Sequence, residues 1–166
     1  AGMLRVDTLQ QLFLAAETLT RFRNNRCDAL TILTNGGGAG VMAADAASHA
    51  GVALADLAPA TLQALDALLP ANWSHGNPID IIGDAPVERY VQALKALADD
   101  PAAGAVLFIH APTAIVPSAA IARAMVQGMV TRVSGDPSRL MACWLGEAAV
   151  AEARQIFQDA GIAGYP

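Results

Sequence analysis

The run Asn35-Gly36-Gly37-Gly38-Ala39-Gly40 joins an apolar, β-type stretch at 29–34 to a helix-like stretch that begins near Val41. A glycine-rich turn between a strand and a helix presents several backbone N–H groups at the positive end of the helix, where a phosphate can be held without a basic side chain. No lysine or arginine occurs between Arg26 and Arg89. An anion here is gripped by amides and by the helix dipole, so Asn35, Gly36, Gly37, Gly38, Ala39 and Gly40 form a candidate phosphate site.

A second-rank group consists of Asn77, Asp80 and His110. Asn77 and Asp80 belong to the loop run Asn77-Pro78-Ile79-Asp80, and His110 closes the strongly apolar stretch 105–110. His110 can orient or protonate a bound group there, although a hydrogen-bonded core histidine is the competing reading. The other histidines read as structural. His49 falls in the last turn of a helix, where an imidazole complements the dipole, and His75 lies in a polar loop as a solvated side chain. Arg21, Arg23 and Arg26, near the end of the first helix, read as a solvated face. Asp45 stands alone, Asp80 and Asp84 share a loop, and no carboxylate pair or Ser/His/Asp arrangement emerges.

Gly38-Ala39-Gly40-Val41-Met42-Ala43 matches G-x-G-x-x-A, with Asp56 beyond the next strand where a ribose-binding acid belongs. A dinucleotide site is one reading of these glycines, and tight packing of a helix on its strand is another. The Walker pattern is missing, since Lys95 is the only lysine and no G-K-[ST] occurs, so P-loop nucleotide hydrolysis is excluded.

The elements that must position these residues follow from periodicity. Leu9, Leu12, Phe13, Ala16 and Leu19 repeat at helical spacing, which predicts an amphipathic helix over 7–22 with Asp7 as its N-cap. Together, 1–26 form an N-terminal helix and linker. A strand at 29–34 follows, then a helix over 41–49 ending at Gly51 as a left-handed cap, a short strand at 52–55 and a helix at 59–69. A loop at 71–83 leads to a helix over 86–98 with Pro86 in its first turn. The stretch 105–110 does not alternate and reads as a strand buried on both faces. Helix 118–133, strand 140–145, helix 148–160 and a last strand near the end complete the alternation. Such alternation predicts a three-layer α/β domain of flavodoxin-like topology, a mostly parallel sheet of about five strands with 105–110 central, and ligands at the strands' carboxyl ends.

With 166 residues, 54% hydrophobic and 15% charged, the chain suits one compact domain. Its net charge of −5 and pI near 4.9 argue against nucleic-acid and anionic-membrane partners. The longest apolar stretch, 103–116, is interrupted by His110, Pro112 and Thr113 and spans no bilayer. Cys27 and Cys143 have no metal spacing, and no signal peptide is visible, which together suggest the reducing cytoplasm. The terminal sequences read as those of a piece cut from a larger multidomain protein.

Three runs in order carry a more specific signal: 31–45 around the glycines, Asn77-Pro78-Ile79-Asp80-Ile81-Ile82-Gly83-Asp84-Ala85, and Glu88-Arg89-Tyr90. The chain resembles the NDP-forming acyl-CoA synthetases, that is, the ADP-forming acetyl-CoA synthetases and their succinyl-CoA synthetase relatives. Arg5-Val6-Asp7-Thr8, the strand before His110-Ala111-Pro112, and Cys143-Trp144-Leu145-Gly146 fit in the same order, so the resemblance covers nearly the whole chain. It identifies 1–166 as a single CoA-ligase-like domain, the second of two flavodoxin-like ligase domains.

The resemblance implies a parent that uses CoA, ATP or ADP, and Mg, and passes energy from acyl-CoA through an acyl phosphate and a phosphohistidine to a nucleoside diphosphate. The glycine loop would give its helix N-terminus to the phosphohistidine. Neighbouring CoA-binding, phosphohistidine-bearing and ATP-grasp domains would be the partners, and the 166-residue piece alone would bind no cofactor and be inactive. Ser48-His49-Ala50-Gly51-Val52 only imitates the family's histidine loop, because it occupies a different structural position, and no phosphorylated histidine is carried over. Related domains also accompany GNAT protein lysine acetyltransferases, so a regulatory module of such an enzyme is the alternative.

Overall fold

The computed structural model describes residues 4–22, 27–130 and 139–165. Within them lie α1 (Leu9–Arg21), β1 (Ala29–Thr34), α2 (Gly37–His49), β2 (Ala53–Leu54), α3 (Pro59–Leu68) and β3 (Ile79–Asp80). After these come α4 (Val87–Ala98), β4 (Ala105–His110), α5 (Ser118–Val130), β5 (Leu140–Trp144), α6 (Ala151–Asp159) and β6 (Ala163–Tyr165). Among the described residues every strand pairing is parallel, in the order β2-β1-β4-β5-β6 with β3 also beside β1. Setting β3 aside, this is the doubly wound, flavodoxin-like order.

The unalternating apolar sequence of β4 does place it at the centre, between β1 and β5. Helices α3, α4, α5 and α6 pack side by side, while α2 lies against β1, β2 and β3. Tyr90, Ala93, Leu94 and Leu97 recur on one face of α4 and are buried there. They join Leu33, Phe108, Met125, Trp144 and Phe157 in one apolar core.

Several boundaries differ from the sequence expectation. Helix α1 is capped by Thr8 rather than Asp7, because the Thr8 hydroxyl accepts the N–H of Gln11 at 3.1 Å. The Gln11 side chain in turn accepts the N–H of Asp7 at 2.8 Å, close to the capping-box arrangement that T-x-x-Q encodes. No residue of α1 is buried, and Leu9, Leu12, Phe13 and Leu19 are exposed. Helix α2 starts at Gly37, four residues before Val41, so the glycines form its first turn rather than the turn ahead of it. Gly51, with φ of 71°, does stand in the left-handed region after α2.

The stretch 71–83 is not only loop. It contributes β3, a sixth short strand beside the expected five. The helix at 148–160 opens as a 3-10 turn, Ala148–Val150, before α6. Arg23 and Arg26 of the linker, and 131–133 of the helix expected at 118–133, lie outside the described residues. No helix among the described residues is long and apolar enough to cross a membrane.

One edge of β1 is covered by two strands in succession. Strand β2 pairs with its first half, at Ala29 and Leu30, and β3 with its second, at Leu33 and Thr34. The Asn77 side chain fills the gap between them. It accepts the N–H of Ile32 at 3.0 Å and donates to the carbonyls of Leu30 at 2.9 Å and Ala55 at 3.1 Å. A primary amide has the donors and acceptor of a peptide group, so it can complete a backbone ladder that two short strands leave open.

Candidate functional site

At the carboxyl end of β1 the chain turns into α2 through Asn35 and Gly36. The Thr34 hydroxyl accepts the Gly36 N–H at 3.0 Å. The Asn35 side chain, 4% exposed, donates to the Ala111 carbonyl at 2.8 Å and accepts the Ala111 N–H at 2.9 Å. That reciprocal pair ties the end of β1 to the end of β4. Asn35 therefore shapes the site with its side chain rather than offering that side chain to a ligand.

Gly36 is the N-cap of α2, in extended geometry, and no side chain caps the helix. The first helical bond runs from the Gly40 N–H to the Gly36 carbonyl at 3.1 Å. The N–H groups of Gly37, Gly38 and Ala39 are left without intrahelical acceptors, as they must be in a first turn. They point out of the helix end together, with the positive pole of the dipole behind them. An arrangement of this kind has the donors and the dipole to hold a tetrahedral anion such as a phosphoryl group.

The glycines have separable reasons. A Cβ on Gly36 would stand 3.0 Å from the Ala111 Cβ, one on Gly37 would stand 2.6 Å from Asp80 Oδ2, and one on Gly40 would stand 2.9 Å from the Thr34 Cγ2. Those three are glycine because neighbours crowd them. A Cβ on Gly38 would meet nothing within 4 Å, and Gly38 is exposed. None of the four has a left-handed φ, so the reason is space rather than backbone freedom.

Asp80 comes to this end of α2 because β3 pairs Asp80 with Thr34. Its Oδ1 accepts the Ile82 N–H at 2.9 Å, and its own N–H donates to the Ser74 hydroxyl at 2.9 Å. The Oδ2 is left against Gly37. A carboxylate beside a helix N-terminus stabilises the helix and also raises the cost of bringing a dianion to the same place.

His110 belongs to the interior instead. It is 0% exposed, its ring lies 5.0 Å from that of Trp144 and 5.8 Å from that of Tyr90, and its Nε2 shares a 3.0 Å hydrogen bond with the Ser118 hydroxyl. Burial pushes its pKa down to about 4. At neutral pH it is an uncharged imidazole and cannot supply the proton the sequence reading allowed it.

Of the second-rank group, the structure thus brings only Asp80 to the glycine turn; Asn77 completes the ladder and His110 packs in the core. His75 is not simply solvated, since its Nδ1 and Nε2 face the Asp66 carboxylate at 2.8 Å and the Ala71 carbonyl at 3.0 Å. Those two acceptors, the Ala71 carbonyl first, hold its pKa above the ordinary value. His49 bonds the Asp45 carbonyl at 2.7 Å within the last turn of α2. Asp84 pairs with Arg89 at 2.6 Å, and Arg89 also donates to the Ile81 carbonyl. No group of three His, Cys, Asp or Glu that could hold a metal occurs among the described residues.

The family model of the Ligase-CoA domain matches residues 30–166. The chain is 34% identical over 165 residues to the ADP-forming acetate–CoA ligase I of Archaeoglobus fulgidus, covering 99% of this chain and 22% of that protein. It is 29% identical over 169 residues to the alpha subunit of the ADP-forming acetate–CoA ligase I of Pyrococcus furiosus, covering 100% of this chain and 35% of that subunit. Among solved structures, acetyl-coenzyme A synthetase 1 of Ca. Korarchaeum cryptofilum, described as dinucleotide forming and solved with phosphate and ADP, superposes with a TM-score of 0.87. The two are 29% identical over 99% of this chain and 35% of that one. PH0766 from Pyrococcus horikoshii superposes with a TM-score of 0.86 at 25% identity, over 99% of this chain and 38% of that one. The chain thus spans between 22% and 38% of the length of these proteins.

Proposed function

The chain belongs to the Ligase-CoA domain family, and from that premise we propose that it is one domain of an NDP-forming acyl-CoA synthetase. The parent would convert acyl-CoA, a nucleoside diphosphate and phosphate into the free carboxylate, CoA and a nucleoside triphosphate by way of a phosphohistidine. This domain contributes the start of α2 to the phosphoryl group. The N–H groups of Gly37, Gly38 and Ala39 donate to its oxygens, and the dipole of α2 offsets its charge. The clamp between Asn35 and Ala111 holds the amides in position, and the Thr34 hydroxyl keeps the Gly36 N–H from competing.

Everything else the reaction needs belongs to the rest of the parent. CoA and ADP or ATP, which the names of the relatives imply, and Mg would be held by neighbouring CoA-binding, phosphohistidine-bearing and ATP-grasp domains, in keeping with how small a share of those relatives this chain spans. The observation that carries the reading is the uncapped, glycine-built start of α2 in a chain that aligns over 99% of its length with an ADP-forming ligase.

The ligase relatives favour this reading over a regulatory module of a GNAT acetyltransferase. A dinucleotide site fits less well, because the first glycine of the G-x-G-x-x-A match is inside the first turn of α2 and not in the turn before it. The test is ATP formation by the full-length parent from acetyl-CoA, ADP and phosphate, with and without Gly38→Val. The proposal expects turnover in the unaltered parent and at least a tenfold loss in the variant; a parent that forms no ATP, or a variant that keeps full turnover, overturns it.

A further inference from the structure

Helix α1 sits on the domain with its apolar face outward. Its half-buried residues are Leu14, Ala15, Glu17, Thr18 and Arg21. The side chains that tie it to the corner between α6 and β6 are polar: the Thr18 hydroxyl bonds the Tyr165 hydroxyl at 2.5 Å, and Arg21, paired with Glu17 at 2.7 Å, lies beside Gly161. Leu9, Leu12, Phe13, Ala16 and Leu19 are exposed, Leu9 at 74% and Phe13 at 71%. An amphipathic helix ordinarily does the opposite and gives its apolar stripe to the core. A contiguous stripe left in water on a folded domain marks a contact with another surface.

The spacing on the stripe says what that surface is. Leu9, Leu12, Ala16 and Leu19 lie three, four and three residues apart, the a and d positions of two heptads, with Phe13 beside them at e. Three-four-three reads the same from either end. Reversing a second α1 against the first therefore sets Leu9 opposite Leu19 and Leu12 opposite Ala16, four layers that repeat about a two-fold axis level with Leu14. In the inner layers a large side chain meets a small one, which lets the two helices approach and interdigitate. Positions e and g hold Thr8, Phe13, Ala15 and Thr20, so no charge on the seam repels a copy or selects a differently charged partner. The threonine hydroxyls already have partners, Thr8 in the Gln11 N–H and Thr20 in the Ala16 carbonyl.

We propose that two copies of this chain associate through α1, packed antiparallel about a two-fold axis, with Leu9 against Leu19 in the outer layers and Leu12 against Ala16 in the inner ones. A helix of 13 residues is about 20 Å long, so the contact is small and the dimer weak, with a Kd on the order of 100 µM. Helix α1 is at the β6 edge of the sheet, with β5 and β4 between β6 and β1. The pairing is thus separate from the glycine turn and does not depend on the synthetase reading.

The test is sedimentation equilibrium of the chain from about tenfold below to about tenfold above that Kd, with Leu12→Glu and Ala16→Lys each alone and mixed in equal amounts. The unaltered chain should show a reversible monomer–dimer equilibrium, and each variant alone should associate at least about tenfold more weakly. The mixture should recover to within about threefold of the unaltered chain, because the introduced carboxylate and ammonium share one inner layer while the other keeps its leucine and alanine. Both positions are exposed, so the variants keep the fold, which urea unfolding checks. The proposal falls if the unaltered chain stays monomeric throughout, which leaves the stripe to another domain of the parent, or if folded Leu12→Glu associates as tightly as the unaltered chain. It falls equally if the mixture associates no better than its components, the result expected of a parallel pairing. The dilution series of the unaltered chain needs no variant, so it decides even if a substitution loosens the fold.

Discussion

Replacing Gly38 and Gly40 one at a time separates a ligand site from a packing device. A side chain at Gly38 enters open space, with nothing within 4 Å of its Cβ. Gly38→Val therefore costs no packing, and because valine has better helix propensity than glycine, the stability of α2 stays level or rises by a few tenths of a kcal/mol. Side chains of a helix lean toward its N-terminus, so the valine methyls crowd the approach to the amides. Losing one or two charge-assisted N–H bonds, at about 1.5 kcal/mol net each, lowers affinity for inorganic phosphate roughly ten- to hundredfold.

Gly40→Ala should do the reverse. Its Cβ would stand 2.9 Å from the Thr34 Cγ2 and 3.3 Å from the Pro78 Cβ, so α2 must shift on β1, at about 1–3 kcal/mol. Amide shifts of residues 37–39 during a phosphate titration and urea unfolding measure the two effects on the same samples. Gly38→Val with unchanged phosphate binding, or with a stability loss as large as that of Gly40→Ala, would refute the argument.

Asp80→Asn should bind inorganic phosphate about three- to tenfold more tightly than the unaltered chain, because it removes a charge beside Gly37; an unchanged affinity in the same titration would show that Asp80 does not face the ligand. Asn77→Ala should cost about 2–4 kcal/mol in urea unfolding, since three backbone groups lose their side-chain partner at once, whereas a cost below 1 kcal/mol would mean that β1 and β2 close the gap themselves. His110 titrates at about 4 when folded against 6.5 when unfolded, so the unfolded chain binds the extra proton between those values and stability falls as pH drops from 6.5 towards 4. His110→Gln should flatten that slope in urea unfolding followed across the same pH range. The 166-residue chain alone should form no ATP from acetyl-CoA, ADP and phosphate above a blank in a coupled assay, and measurable turnover would overturn the assignment of catalysis to neighbouring domains.

The sheet apart from β3 was legible because each of its other strands has its own signal. The uninterrupted apolar run of β4 marks it as central, and the glycines after β1 mark the passage from strand to helix. Local hydrogen bonding was harder to read. T-x-x-Q at Thr8 and Gln11 was available as a capping signal, yet Asp7 is an equally good cap by residue type. The role of Asn77 depends on two strands that stop short of each other, which no window of residues reveals. Asp80 reaches Gly37 only through the pairing of β3 with β1, a contact across more than forty positions of sequence. The pattern 105–110 shows that His110 is buried, but not that Ser118 would bond it or that its neighbours are aromatic.

Asn77 also bears on how this fold tolerates change. By bonding β1 and the residue after β2 from a fixed point three residues before Asp80, it sets where β3 begins on β1. The Ser74 hydroxyl adds a second tie, accepting the Asp80 N–H and donating to the Pro78 carbonyl. A single residue added between Asn77 and Asp80 would turn the carboxylate to the opposite face of the strand. Asn77 thus starts a three-step ruler whose length decides whether an acid stands beside Gly37 at all.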